Sequence, residues 1–200
     1  MKMIDLFKPN ILIDNLNDLH TISLDDSDKS HPQYMTTSDF KAVDFDAVKE
    51  KYVFSNSSIP ACDMRSNDAL VILCANIPQF VFIEFKNGVI TSTNAKEKIR
   101  VKIAESLLIF NDLMEENLTF DRTHINYILV YNSSNNKSFE EQRNENSLNK
   151  IASILATKSK MTYLINGFDR YRAFFHDVKT INEIEFQDVV AELENSTYVF

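Results

Sequence analysis

Two short apolar runs, Ala69 to Cys74 (ALVILC) and Phe80 to Phe85 (FVFIEF), stand near the middle of the chain. They are rich in β-branched and aromatic residues, and Ala75 to Gln79, with Pro78 inside, interrupts them, which predicts a β-hairpin. Apolar residues fall on both parities of each run, so both faces of these strands should be covered. The period then changes. Ile99, Ile103, Leu107, Phe110 and Met114 recur at helical spacing, and Asn94 with Glu97 three residues on has the form of a capping box at the helix start. Ile125 to Tyr131 predicts another strand, followed by the polar loop NSSNN. Ser138 with Glu141 is a second capping-box pattern, opening a helix with Leu148, Ile151 and Leu155 as its core stripe. Met161 to Ile165 predicts a strand that ends at Asn166-Gly167, and Glu183 to Leu193 a final helix.

The pattern is weaker before the hairpin. Ser23 to Asp46 is rich in Asp, Ser, Thr, Lys and His, contains Pro32 and has few apolar residues, which predicts a loop or loosely packed arm. Asp44 to Lys51 predicts a short lead-in helix and Ser55 to Pro60 a turn. The expected organisation is an N-terminal arm and lead-in helix over residues 1–60 and an α/β core over residues 61–200. With 200 residues, 44% of them hydrophobic, this makes one domain around one core. Strands alternating with helices after the hairpin predict a central mixed β-sheet flanked by helices.

Composition narrows the function classes. Cys62 and Cys74 form no metal-ligand spacing, and the absence of a disulfide pattern suits a reducing compartment. Asp5, Lys8, Pro9 and Asp14 break up the first sixteen residues, so neither a signal peptide nor a membrane-spanning helix is expected; the expectation is a cytoplasmic protein with no membrane partner. His20, His31, His124 and His176 are scattered and suggest no metal cluster. A formal charge of −8 opposes non-specific nucleic-acid binding, which relies on phosphate neutralisation. That charge is unevenly spread: residues 61–110 carry five acidic and six basic side chains, while the parts before and after are net −4 and −5. A locally positive cleft on an acidic body fits this distribution.

The hairpin carries the candidate chemistry. An acidic residue two before a lysine is expected about twice by chance at this composition, and three such tripeptides occur. Asp39-Phe40-Lys41 lies in the polar arm, Asp177-Val178-Lys179 in a late charged segment read as a loop, and Glu84-Phe85-Lys86 closes the second apolar run. Strand residues two apart share a face, so Glu84 and Lys86 project together while Phe85 enters the opposite core. If the hairpin turns about Ile77, facing residue numbers sum to about 154, or to about 152 with a shifted turn, and Asp68 faces Lys86 or Glu84. All three are even-numbered and fall on one face. Asp63 ranks second as the partner carboxylate, because it lies beyond the end of the facing strand unless a bulge intervenes.

Asp68, a hydrophobic strand, a short turn and Phe82-Ile83-Glu84-Phe85-Lys86 followed by a helix resemble the PD-(D/E)XK nuclease superfamily, which includes many restriction and repair endonucleases. The motif covers roughly residues 60–114, and the next strand and helix follow in the same order. The resemblance implies a restriction-endonuclease-like core, hydrolysis of phosphodiester bonds in DNA or RNA, and Mg²⁺ or Mn²⁺ as cofactor. It also implies roles: Asp68 and Glu84 on the metal with the backbone carbonyl of Phe85 as third ligand, and Lys86 orienting the attacking water and countering charge at the phosphate. Asn67 stands where the superfamily's proline would be, and Glu50 is the candidate for an upstream acidic residue. A place in a bacterial or phage defence or conflict system, a protein partner such as an ATPase or toxin, and a homo-oligomer for double-strand cutting are consistent with this reading.

The acidic charge supports a second reading, a catalytically inactive nuclease-fold protein serving as a protein-binding subunit, immunity protein or regulator. A third, hydrolysis of a small phosphate ester, lacks a phosphate-cradling glycine loop, since the chain has only Gly88 and Gly167. Two further segments are open. Lys98, Lys102 and Glu105 form a polar stripe on the helix after the motif, either a solvated face or a face over the site. GFDRYRAFFHDVK combines Arg170, Arg172, His176 and Lys179 with aromatic residues, as a nucleic-acid grip or as an aromatic core with cations at its rim.

Overall fold

The computed structural model describes residues 10–25, 32–56, 64–73, 79–143 and 167–195. Asp63, both cysteines, the stripe Leu148, Ile151 and Leu155, and the expected strand Met161 to Ile165 lie outside these residues. In chain order the elements are α1 (Asn10–Ile13), β1 (Leu16–Asp18), α2 (Leu19–Ile22), β2 (Leu24–Asp25), β3 (Gln33–Tyr34), β4 (Lys41–Asp44) and α3 (Phe45–Ser55). There follow β5 (Ala69–Leu73), β6 (Gln79–Lys86), α4 (Thr93–Met114), α5 (Leu118–His124) and β7 (Ile125–Tyr131). Helix α6 begins at residue 137 and is described to residue 143. A 3-10 turn (Asp169–Ala173), β8 (Asp177–Asn182) and α7 (Glu183–Glu194) complete the described chain.

Six strands form a mixed sheet in the order β1-β4-β5-β6-β7-β8, with helices on its faces, and β2 pairs with β3 separately. Pairing is antiparallel from β1 to β6 and parallel from β6 through β7 to β8. The doubly apolar strands explain the layering, because each parity meets its own helices. Phe80 and Phe82 share one core with Phe45 and Val48 of α3 and Ile99, Ile103 and Phe110 of α4. Phe45 meets Phe82 edge-on at 5.0 Å between ring centroids, and Phe80 meets Phe110 likewise at 5.0 Å. Val81, Ile83 and Phe85 share the opposite core with Phe186, Val190 and Leu193 of α7. Truncating a fully buried ring such as Phe82 to alanine should cost about 3 to 5 kcal/mol through lost burial and the cavity left behind.

The helix starts follow capping chemistry. Asp44 caps α3 by accepting from the Ala47 N–H, and Asn182 with Glu185 forms a capping box on α7. Helix α4 is capped by Ser92, whose hydroxyl accepts from the Ala95 N–H at 3.2 Å, rather than by the Asn94 and Glu97 pair expected from the sequence. Its far end turns at Glu115, in the left-handed region at φ 56, where the backbone N–H returns to the Asn111 carbonyl.

The polar segment expected as an arm contributes more than an arm. Strand β4 lies inside it, and β1 and β4 extend the sheet beyond β5, with Met35, Ala42 and Val43 buried. Asp177 to Asn182, read as part of a charged loop, is strand β8, which alternates the buried Val178 and Thr180 with the exposed Lys179. Among the described residues no helix is long and apolar enough to cross a membrane.

Candidate active site

The β5–β6 register decides what the hairpin brings together. Ala69 pairs with Ile83 and Leu70 with Phe82, so facing numbers sum to 152 and Asp68 enters β5 beside Glu84. Glu84 and Lys86 point to the α4 side of the sheet, while Phe85 packs on the other side against Phe186 at 5.3 Å between centroids. The Asp68 carboxylate turns back on β6, accepting from the Phe85 N–H at 2.6 Å. The carboxyl end of β6, a strand paired in parallel with β7, is where α/β sheets commonly place ligands.

Glu84 is completely buried, and two ammonium groups face its carboxylate. Lys86 Nζ lies 2.7 Å from Oε1. Lys102 Nζ lies 2.9 Å from Oε1 and 3.0 Å from Oε2, and it also reaches Asp68 Oδ1 at 2.8 Å. Burial pushes the Glu84 carboxyl up from 4.5 to about 7, the Asp68 charge pushes the same way, and Lys102 and Lys86 oppose both. For Lys102 burial disfavours the charge, but the two carboxylates outweigh it and hold the side chain above the usual lysine range. Tyr127, beside Phe82 on β7, has a buried hydroxyl with no hydrogen-bond partner among the described residues; burial and then the Glu84 and Asp68 charges keep it neutral.

Helix α4 clamps the approach to Asp68 with three side chains from one face. Glu105 accepts from the Arg65 N–H, Ser106 Oγ accepts from the Asn67 N–H at 2.7 Å, and Lys102 takes Asp68 itself. On the other flank the N–H of Phe45, the first residue of α3, donates to the Asp68 carbonyl at 3.0 Å. The stripe Lys98, Lys102 and Glu105 therefore faces the site. A cleft of about 390 Å³ opens in front, lined by Asp46, Asp68, Phe85, Lys86, Asn94 and Lys98 among others. Glu84 lies behind this wall.

The acidic residue that α3 brings to the cleft is Asp46, whose carboxylate accepts from Ser66 Oγ. Glu50, the candidate for that role, is exposed and absent from the cleft wall. One helical turn separates them, and the signal that finds Asp46 is the cap at Asp44, which sets α3 starting at Phe45 with Asp46 in its first turn. Lys102 had the stripe as its only sequence signal; its partners come from the packing of α4 over the hairpin.

The donor set suits a hard divalent cation. Two carboxylates converge on one positive charge, with the Lys102 ammonium within 3.0 Å of both. Among the described residues no group of three or more His, Cys, Asp or Glu side chains is placed to hold a metal. An ion at Asp68 and Glu84 would complete its shell with the Phe85 carbonyl, water and substrate phosphate, a donor set usual for Mg²⁺.

The aromatic and basic segment from Gly167 to Lys179 is built differently. Phe168 and Phe175 are buried in the core beneath α4, while Arg172 and His176 are exposed, and Lys179, paired with Ile128, is exposed on the opposite face of the sheet. No family model, no curated protein and no solved structure matches this chain.

Proposed function

We propose that this protein is a metal-dependent nuclease of the PD-(D/E)XK type, hydrolysing phosphodiester bonds of DNA or RNA with Mg²⁺ or Mn²⁺. The observation that carries the reading is the convergence of Asp68 and Glu84 on one point of positive charge, with Lys86 2.7 Å from Glu84 at the edge of an open cleft. The succession of hairpin, helix and parallel strand in β5, β6, α4 and β7 supports a restriction-endonuclease-like core.

Asp68, Glu84 and the Phe85 carbonyl would hold the ion, which supplies positive charge that polarises the scissile phosphate and acidifies the attacking water. Lys86, on the cleft wall, orients that water and counters charge gathering on the phosphate oxygens. Lys98, further along the same wall, neutralises an adjoining backbone phosphate. Glu84 must be ionised to serve, and its raised pKa of about 7 places that requirement near neutral pH.

The test is incubation of the purified protein with single- and double-stranded DNA and RNA, with Mg²⁺, Mn²⁺ or chelator. Metal-dependent cleavage is expected, slowed by about 10²-fold or more in Glu84→Ala and Lys86→Ala. Cleavage at the wild-type rate in both variants removes the assignment.

One observation favours the second reading, an inactive nuclease fold that binds a protein partner. The Lys102 ammonium bridges both carboxylates, as a permanent substitute for a metal would. That reading predicts neither cleavage nor metal binding by the wild type.

A further inference from the structure

Lys102 Nζ stands 2.8 Å from Asp68 Oδ1 and 2.9 Å from Glu84 Oε1, the position that a cation shared by the two carboxylates has to take. We infer that Lys102 is a built-in competitor for the metal, closing the site in the metal-free protein and leaving it when an ion enters. The inference rests on the metal-site reading above. An ion bridging Asp68 Oδ1 and Glu84 Oε1 would have to stand where Lys102 Nζ stands, and two cations at that one point would repel each other strongly. Lys86 touches Glu84, whereas Lys102 touches both carboxylates, so Lys102 is the group whose place conflicts with the ion.

The exchange has a physical purpose and a route. Glu84 is completely buried, and an unpaired charge there would be strongly destabilising, so an internal counter-ion keeps the empty site folded. The Lys102 side chain is 17% exposed, has a flexible four-carbon stem, and lies one helical turn from Lys98 on the cleft wall. Swinging toward the cleft, the released ammonium would face the substrate backbone. Lys102 is thus a positioning residue whose release couples metal entry to phosphate binding.

Calorimetric titration of Mn²⁺ into the full chain, as wild type, Lys102→Met and Lys102→Gln, tests this; Lys102→Gln retains a hydrogen-bond donor should Lys102→Met fail to fold. Both variants should bind Mn²⁺ about tenfold more tightly or better, since no ion pair must be broken first. A lysine that merely scaffolds the carboxylates predicts the opposite, weaker binding on its removal. In the wild type, Mn²⁺ should raise modification of Lys102 by an amine-reactive reagent severalfold, read by mass spectrometry. If the wild type binds Mn²⁺ but the variants bind no more tightly, or Lys102 reactivity does not change, the competitor role is overturned and the metal site stands. If only the variants bind, Lys102 blocks the site without yielding to the ion, so the exchange is overturned and the wild type is an occluded site without nuclease function. If none binds, both readings fall together.

Discussion

Glu84 and Lys86 on β6 and Asp177 and Lys179 on β8 have the same spacing, and strand geometry turns each pair to one face of the same sheet. In the first pair the ion-pair distance is 2.7 Å and the acid is 0% exposed; in the second it is 3.8 Å with the acid 38% and the lysine 46% exposed. β6 is interior, flanked by β5 and β7 and covered by α4, whereas β8 ends the strand order and carries its pair at its amino end. Asp68 and Lys102 join Glu84 and Lys86, and no comparable second carboxylate and ammonium join Asp177 and Lys179 among the described residues. An exposed pair contributes about 0 to 1 kcal/mol, while a buried carboxylate requires compensation from the opposite charges around it, here Lys102 and Lys86. The tripeptide is common to both; burial and a third and fourth charged group separate them.

The largest expected difference is in activity. Asp68→Ala and Glu84→Ala should each slow metal-dependent cleavage by about 10²-fold or more, with Asp177→Ala unchanged, in an assay on the preferred nucleic acid. Similar losses from Asp177→Ala would erase the distinction. Next comes stability. Removing the Lys102 ammonium leaves two carboxylates without it, so Lys102→Met should lower the unfolding free energy by about 2 to 4 kcal/mol in urea titrations at pH 8 without metal. The matching change at the surface, Lys179→Ala, should stay within about 0.5 kcal/mol.

A third difference is in pH response. The Glu84 carboxyl titrates near 7 in the folded chain, above its usual 4.5, so the folded protein holds the extra proton between these values. Stability should therefore be greatest below about 4.5 for this group's contribution, fall as pH rises toward 7, and level off above it. Glu84→Gln should remove that slope, measured as the pH dependence of the urea midpoint; an unchanged slope would mean that another group titrates there. Mn²⁺ affinity should run the opposite way in the wild type, rising with pH to about 7, because the ion requires the ionised carboxylate.

The hairpin and the faces of Glu84, Phe85 and Lys86 were readable because strand parity is a local property, and the strand Ile125 to Tyr131 coincides with β7; the register, open between sums of about 154 and 152, is fixed at 152 by the pairing of Ala69 with Ile83. Strands β4 and β8 were not readable. β4 has only Ala42 and Val43 as apolar residues, and β8 mixes Asp, Lys, Thr and Asn, so their pairing depends on neighbours distant in sequence. Within the site, Asp68, Glu84 and Lys86 could be brought together by register alone, whereas Lys102 and Asp46 arrive on helices whose orientation is set by the packing of Ile99, Ile103 and Phe110, and of Phe45 and Val48. The start of α4 shifted to Ser92 because a serine hydroxyl two residues earlier satisfied the Ala95 N–H.

The most direct measurement is a matched pair of cleavage rates, Lys86→Ala against Lys179→Ala, at saturating Mg²⁺ or Mn²⁺. Loss of about 10²-fold in the first with none in the second is the predicted result. Equal rates in both, whether unchanged or reduced, would contradict an active centre at Asp68, Glu84 and Lys86.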